Sequence, residues 1–446
     1  MMFSSRTKEL LRESWSISWP MALIMSFDFV LGLTDVFVAG RIGTGIQASY
    51  GIAFQVYYIF LTIAMAFTVG TVSVVSRLFS SGKAEEYRGS VYTSLVSTFV
   101  MGAFFGLAGF LAGPSLIANM RIPAEIKEAA VPMMRVYSAA LFFDYLLLNS
   151  NGILRASRKI MVSLRTMAVV AALNLALCFI LAFRSPLGYK GIAWAMVIST
   201  FCGFAINSLT IGKLVSGARR FSLATARQMA DIGWPMALLQ FLWQGASVAI
   251  YTILGNLPAG RVETMAAFTN GLRIESAVFL PAFAFNMANA VIVGNLIGKG
   301  RNDDAYHNGI VTAWLGAAIV ALLTLAVIAC APFIMALLTP SESVARAGIT
   351  YLRIAFLSDP FMAWGVILAG GLSGAGDTRR IMLIVGLSLW LVRIPLAFLF
   401  GLRLGFGPAG VWWAMNASII IQTLFMSRRY FGRKWLIPHQ PDTRSV

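Results

Sequence analysis

The chain contains the same motif twice, once near its start and once about half way along. SWPMAL at residues 18–23 returns as GWPMAL at residues 233–238, and each copy opens a long apolar stretch. The correspondence continues, because GIAWAM at residues 191–196 stands opposite GVWWAM at residues 410–415. Two related halves within one apolar chain are typical of membrane proteins that expose a central site to each side of the bilayer in turn.

The composition indicates that the bilayer is the solvent for this chain. Of the 446 residues, 58% are hydrophobic and only 12% are charged, so a soluble domain would expose large apolar patches to water. A helix needs about 20 apolar residues to cross a hydrocarbon core of about 30 Å. Segments of that length lie at residues 15–39, 46–74, 88–113, 131–154, 160–184, 189–213, 230–256, 264–294, 307–337, 348–370, 379–402 and 408–430. We therefore predict an all-α integral membrane protein with twelve transmembrane helices in two pseudo-symmetric six-helix lobes.

The longest polar connection, at about residues 213–228, predicts the boundary between the lobes. We expect a first lobe at residues 1–214, a cytoplasmic linker at 215–229, and a second lobe with a basic cytoplasmic tail at 230–446. Because each lobe has an even number of helices, both enter the membrane in the same sense and are related by an axis along the membrane normal. A cavity between the two lobes follows from this arrangement.

The net charge of +17 is distributed unevenly along the chain. If both termini are cytoplasmic, the segments on that side hold 22 of the 35 lysines and arginines, against 8 on the other side. This asymmetry follows the positive-inside rule, so we expect both termini to face the cytoplasm. The basic surplus is then a topology signal with anionic membrane lipids as its partner, and it argues against nucleic-acid binding.

Several chemistries find no support in the sequence. The three cysteines lie in apolar stretches without paired spacing, which indicates packing rather than a disulfide or a metal site. No phosphate-binding loop motif is present, which argues against ATP-driven transport by this chain alone. We expect no cofactor. A membrane-embedded enzyme would need a nucleophile, a metal or a paired acid and base at one depth, and no segment gathers such a set. We therefore expect no enzymatic activity and no catalytic residues.

Acidic residues inside the first apolar segment are the leading candidates for ion coupling. Ionisable side chains at membrane depth are costly and usually have a function, a partner or a wet cavity. Asp28 and Asp35 are seven residues apart, which places them on one helix face about 10 Å apart. A carboxylate removed from water can bind and release a proton or exchange a proton for a cation. Capping of the outer helix end is the alternative for Asp35.

Further polar residues predict the lining of a cavity. Asp144 lies in a polar run with Asn149 in the first half, and buried pairing with an arginine such as Arg165 is its alternative. In the second half, the alternative to ion binding is charge compensation with Arg273 for Glu275. For Asp359 the alternative is a structural role at the helix break next to Pro360. The candidate cavity residues are Gln55, Tyr58, Asn149, Asn174, Gln240, Gln244, Glu275 and Asp359. Aromatic and methionine side chains nearby would suit flat organic cations.

Longer motifs add a family resemblance that covers essentially the whole chain. LTDVFVAGR at residues 33–41, GAGDTR at 374–379 and WLVRIPL at 390–396 resemble the multidrug and toxic compound extrusion (MATE) family. GLRIE at 271–275 followed by VGNLIG at 293–298 is more similar to DinF-like than to NorM-like prokaryotic members. The resemblance implies an exporter that exchanges small, mostly cationic organic compounds for protons or sodium. We expect it to act as a monomer in the bacterial inner membrane.

The resemblance also assigns roles to individual positions. Asp35 matches the acidic residue of the family's first helix, which makes it the expected coupling residue, with Asp144 and Asp28 as further candidates. Asn174 matches the family pattern, but Cys178 stands where an aspartate often follows it. Trp243 and Met362 replace the acidic residues of the NorM-type cation site, so the resemblance favours protons over sodium. A flippase for lipid-linked saccharides is a rival interpretation, which would predict a basic cavity.

Overall fold

The computed structural model describes residues 5–120, 122–215 and 220–436, with side chains from Lys8 onwards. Residues 216–219 of the expected linker and residues 437–446 of the expected basic tail lie outside this part. Two residues counted for topology are also affected. Arg121 lies outside the described residues, and the side chain of Arg6 lies outside the described side chains. Within the described part, the regular structure is helical throughout.

Twelve helices in the described part are long and apolar enough to cross a membrane, as predicted. We refer to them as the first to twelfth spans: Lys8–Ile42, Thr44–Ser80, Ala84–Ala118, Ala124–Ala156, Ile160–Phe183, Lys190–Val215, Leu223–Gly255, Arg261–Gly298, Asn302–Ala329, Glu342–Gly374, Thr378–Arg403 and Gly407–Phe431. The segment expected at 307–337 is divided, because the ninth span ends at Ala329 and a short helix follows at Ala331–Leu338.

The contacts divide the chain into two compact units, Leu23–Ala237 and Met1–Ala22 with Leu238–Val446. This division differs from the expected lobes in two places. The start of the first span belongs to the unit that contains the second half, and the start of the seventh span belongs to the unit that contains the first half. Contacts within each unit explain why: Ser14 Oγ lies 2.7 Å from Thr312 Oγ1, and the backbone of Met229 packs against Gly70. Both changes fall close to Pro20 and Pro235, the prolines of the duplicated motif. The division into lobes at 214 and 230 stays a proposal.

The unit Leu23–Ala237 has its core where the second, fourth, fifth and sixth spans pack together, with Tyr57 and Tyr137 among its fully buried side chains. The third span packs on the fourth through glycines spaced along one face. A Cβ atom at Gly113 would lie 2.8 Å from Cγ of Met134, so a larger residue there would force the Met134 side chain to shift. Small residues at such interfaces let membrane helices come close enough to pack their backbones.

The other unit has its core around Trp412, Tyr351 and Phe356. Two of its spans depart from α-helical geometry. The tenth span is interrupted by a 3₁₀ turn at Phe356–Ser358, and the eleventh contains a π-helical turn at Ser388–Arg393. The interruptions lie next to Pro360 and Pro395, which cannot donate backbone hydrogen bonds. Arg393 lies in the π-helical turn, and Asp359 directly follows the 3₁₀ turn, both inside membrane-spanning segments.

Candidate functional site

Asp35 of the first span is buried, with 4% of its surface exposed. Its carboxylate Oδ1 accepts a hydrogen bond from the thiol of Cys178 on the fifth span, at 3.6 Å. Cys178 was expected to be a packing residue; it is fully buried, and it also contacts the leading candidate for ion coupling. Within the described residues, Asp35 forms no ion pair.

Asp144 of the fourth span is the second buried carboxylate of this unit, with 6% of its surface exposed. The hydroxyl group of Tyr57, on the second span, donates a 2.6 Å hydrogen bond to its Oδ2. The alternative of pairing with Arg165 is wrong, because Arg165 is exposed and Asp144 forms no ion pair within the described residues. A tyrosine, rather than an arginine, is the partner of this carboxylate.

Tyrosine rings connect the surroundings of the two carboxylates. The ring of Tyr137 lies 5.4 Å from that of Tyr57 and 6.4 Å from that of Tyr50, and Asp35 interacts electrostatically with both Tyr50 and Tyr137. The buried hydroxyl group of Tyr137 has no hydrogen-bond partner among the described residues. We call Asp35, Cys178, Tyr50, Tyr137, Tyr57 and Asp144 the carboxylate–tyrosine cluster. An unpartnered buried hydroxyl group is costly, so it marks a place where a proton or a water molecule can be accommodated.

The tyrosines of the carboxylate–tyrosine cluster were not predicted as neighbours of the carboxylates, although their spacing contained a signal. Tyr50 and Tyr57 are seven residues apart on the second span, and Tyr137 and Asp144 are seven apart on the fourth, as Asp28 and Asp35 are on the first. Seven residues are close to two helical turns, so each pair shares one helix face. Polar pairs at this spacing on three apolar helices could have predicted the cluster.

The third predicted coupling residue lies in a different environment. Asp28 is exposed, whereas Asp35 on the same span is buried. Asp28 interacts electrostatically with Asp144 and with the guanidinium group of Arg155, near the end of the fourth span. Of the three predicted coupling residues, Asp28 is therefore the accessible one, with an arginine within electrostatic range.

The predicted cavity residues of this unit divide into accessible and buried ones. Gln55 is exposed, and Tyr58 is half-buried with its ring stacked on that of Phe54 at 6.3 Å. Asn149 and Asn174 are buried instead, and each has a side-chain carbonyl oxygen without a hydrogen-bond partner among the described residues. Gln55 and Tyr58 are therefore the two that a bound molecule can reach without rearrangement.

In the other unit, Glu275 and Asp359 lie close enough to interact electrostatically. The hydroxyl group of Tyr351 donates a 3.0 Å hydrogen bond to Oε2 of the half-buried Glu275. Asp359 has 2% of its surface exposed, and its Oδ2 has no hydrogen-bond partner among the described residues. Arg273, the expected compensating charge, is exposed; no ion pair between it and Glu275 occurs in the described chain.

Arg393 is the buried cation of this region, and the π-helical turn of the eleventh span positions it. Its Nε donates a 2.9 Å hydrogen bond to Ser418 Oγ, and its Cζ lies 5.4 Å from the centre of the Trp243 ring. Electrostatic attraction links it to Glu275. Trp243, which stands where the resemblance implies a glutamate, therefore contacts a fixed cation. Gln240 and Gln244 of the seventh span are half-buried and exposed, respectively.

No group of three or more histidine, cysteine or acidic side chains that could hold a metal ion occurs among the described residues. The candidate carboxylates described above instead have tyrosine, cysteine or arginine neighbours. In such surroundings a carboxylate can bind and release a proton, or its charge can be neutralised by a cation.

Comparison with known proteins gives the same family as the motifs. The MatE family model matches residues 20–180 and 235–399, one stretch in each half of the chain. The transporter YisQ of Bacillus subtilis is 21% identical over 95% of this chain and 94% of its own length. A probable multidrug resistance protein NorM of Rhodopseudomonas palustris is 23% identical, covering 95% of this chain and 91% of its own.

Solved structures share the fold at low sequence identity. The MATE transporter VcmN of Vibrio cholerae, in a bent form, superposes with a TM-score of 0.90 at 19% identity, over 96% of this chain and 98% of its own. An outward-facing multidrug resistance MATE transporter of the MOP superfamily gives 0.86 at 22% identity, over 96% and 98%. With twelve spans, a duplicated sequence and a family match in both halves, this chain belongs to the MATE family of multidrug transporters.

Proposed function

We propose that this transporter exports organic cations from the bacterial cytoplasm in exchange for protons by alternating access, with Asp35 as the coupling residue. The observation that carries the proposal is the environment of Asp35: a buried carboxylate in a membrane span, with a neutral thiol donor and no ion-pair partner within the described residues. A charge in such a place is costly, so binding of a proton or a cationic substrate to it is favourable.

The carboxylate of Asp35 can couple proton uptake to cation export, because either a proton or an organic cation neutralises it, but not both at once. When Asp35 binds a proton from the outer side, a bound organic cation loses its counter-charge and leaves. Deprotonation toward the cytoplasm restores the charge and the affinity for the next cation. In this proposal, proton binding is accompanied by a change in the bend or contacts of the first span. The exchange is driven because the outward-facing and inward-facing states differ in their affinity for the proton and for the organic cation.

The remaining candidates supply secondary roles. Asp144, held by the Tyr57 hydroxyl group, is the second protonatable group, and the rings of Tyr57, Tyr137 and Tyr50 link its surroundings to those of Asp35. Asp28, Gln55 and Tyr58 are accessible enough to contact the substrate, and the Tyr58 ring offers a face for a cation. The transporter would act as a monomer with both termini in the cytoplasm.

Sodium coupling in the other unit is the second candidate, favoured by the unpartnered Oδ2 of the buried Asp359 beside Glu275. Two neighbouring carboxylates and a tyrosine hydroxyl group offer the oxygen ligands that hard cations prefer. Arg393 supplies a positive charge attracted to Glu275 in the same region, which reduces the need for a transported cation. This fixed charge is the reason for preferring Asp35 as the coupling residue.

The experiment is efflux of a fluorescent organic cation from loaded proteoliposomes, driven separately by a proton gradient and by a sodium gradient. The wild type, Asp35→Asn and Asp231→Asn are compared, the last being a matched control because Asp231 is an exposed aspartate of the seventh span. We expect proton-driven efflux in the wild type and the control, and loss of that efflux in Asp35→Asn. The Asp231 control reports the effect of removing an aspartate elsewhere.

Each other result selects a different function. Efflux that follows only the sodium gradient and survives Asp35→Asn would move coupling to Glu275 and Asp359. Absence of organic-cation efflux under both gradients would contradict the proposal, and transfer of lipid-linked saccharides between leaflets would then be the reaction to assay.

A further inference from the structure

A groove with apolar walls and a basic end lies between the eleventh and twelfth spans. It has a volume of about 660 Å³, and Leu383, Leu387, Leu391 and Phe425 form exposed parts of its walls. Its volume falls within the range of about 300–1,000 Å³ usual for small-molecule sites. The walls belong to membrane spans, so the molecules that reach them are lipids.

Three cations lie at one end of the groove. Arg380 lies near the start of the eleventh span, Arg428 lies near the end of the twelfth, and Lys434 follows it. All three side chains are exposed, and the part of the chain that the structure describes contains no ion pair involving them. A fourth cation, Arg429, is already paired with Asp377 at 2.6 Å. Three positive charges at this end therefore lack a protein counter-charge in the described residues.

The length of the groove matches one leaflet of a bilayer. Arg380 and Leu391 are eleven residues apart on one span, which corresponds to about 16 Å along a helix. Half of a hydrocarbon core of about 30 Å is about 15 Å. A lipid whose headgroup contacts the three cations can therefore extend an acyl chain along the apolar walls to the π-helical turn that carries Leu391.

We propose that this groove is a binding site for an anionic phospholipid of the cytoplasmic leaflet. The headgroup phosphate contacts Arg380, Arg428 and Lys434, and an acyl chain lies against Leu387, Leu391 and neighbouring apolar residues. Basic pockets between membrane helices on the cytoplasmic side recognise anionic headgroups in this way. The cations are on the side that the lysine and arginine distribution places in the cytoplasm.

A second groove in the same protein provides an internal comparison. It lies in the unit Leu23–Ala237, has a volume of about 520 Å³ and is lined by uncharged residues, among them Phe99 and Leu146. Since lipid tails have no charge to recognise, this groove should accept phospholipids regardless of their headgroup. The two grooves therefore separate specific recognition of an anionic headgroup from general contact with lipid.

The first experiment is native mass spectrometry of the full-length protein with dioleoyl phosphatidylglycerol or dioleoyl phosphatidylcholine, which differ only in the headgroup. We expect selective retention of phosphatidylglycerol, weakened on the order of 100-fold in the triple variant Arg380→Gln, Arg428→Gln, Lys434→Gln, since each cation contributes about a five-fold preference. The matched control is Arg12→Gln, Arg227→Gln, Lys299→Gln, three exposed cations outside the groove. Unchanged binding in the triple variant, or equal loss in the control, overturns the proposal.

The second experiment uses the protein without removing its charges. A photo-crosslinking amino acid replaces Leu387 in one groove or Phe99 in the other, in vesicles of phosphatidylcholine with a minority of phosphatidylglycerol. We expect crosslinks from position 387 to be several-fold enriched in phosphatidylglycerol, and crosslinks from position 99 to follow the bulk composition. Bulk composition at both positions, or equal enrichment at both, overturns the proposal.

Discussion

The hydroxyl group of Tyr57 donates a 2.6 Å hydrogen bond to Oδ2 of Asp144, and both residues are buried within membrane spans. The bond joins the second span to the fourth within the carboxylate–tyrosine cluster. Because water is excluded there, the hydrogen bond is the means by which the protein stabilises this carboxylate without an ion pair.

Tyr57→Phe should therefore impair both stability and transport. Removal of the donor leaves Asp144 with an unsatisfied buried oxygen, which we expect to lower the free energy of unfolding by about 1–3 kcal/mol. Thermal unfolding in detergent and proton-driven efflux measure the two effects. Tyr58→Phe is the matched control for thermal unfolding, because no hydrogen bond of the Tyr58 hydroxyl group occurs within the described residues. Equal thermal stability of the two variants would show that the bond to Asp144 contributes nothing to stability.

Cys178→Asp should change the number of protons used for each exported cation. The new carboxylate would lie beside Asp35, where like charges cannot both be ionised without cost, so one of the two should carry an additional proton. We expect the ratio to rise by about one proton, measured from the gradient at which net transport reverses. Cys178→Ser keeps a neutral donor and should retain the wild-type ratio. An unchanged ratio in Cys178→Asp would show that a carboxylate at position 178 does not take part in proton coupling.

Arg393→Gln should make the thermal stability of the protein depend on sodium, through the unit that contains Glu275 and Asp359. The substitution removes the fixed positive charge near Glu275 and weakens the bond to Ser418, so we expect a loss of about 1–3 kcal/mol of stability. Sodium chloride should restore part of that loss relative to choline chloride, as followed by thermal unfolding. Arg393→Lys retains the charge and should show less sodium stabilisation. A sodium effect of the same size in wild type and Arg393→Gln would contradict the proposed role of the arginine.

Cys330 tests the expected topology. The ninth span should enter from the cytoplasm at Asn302 and end on the outer side at Ala329, and Cys330 follows as an exposed residue. A membrane-impermeant thiol reagent applied to intact cells should label it, while the buried Cys178 should not react. Cys330→Ser should abolish most of the labelling. Labelling of Cys330 only after the membrane is opened would reverse the predicted orientation.

Some features of the site were predictable because they depend on one helix at a time. Asp35 was selected from its depth within an apolar segment, and the structure places it among buried side chains. Asp28 and Asp35 share a helix face by periodicity, yet one is exposed and the other buried. Periodicity defines direction around a helix axis, but it does not say what lies opposite each turn.

The sequence by itself determined the duplication, the twelve spans and the presence of carboxylates at membrane depth, because apolar length and composition act locally along the chain. Only the tertiary structure decided the partners: Tyr57 for Asp144 rather than Arg165, Cys178 for Asp35, and Tyr351 for Glu275 rather than Arg273. These contacts join helices distant in sequence, and they depend on how the helices cross and rotate when small residues let them approach.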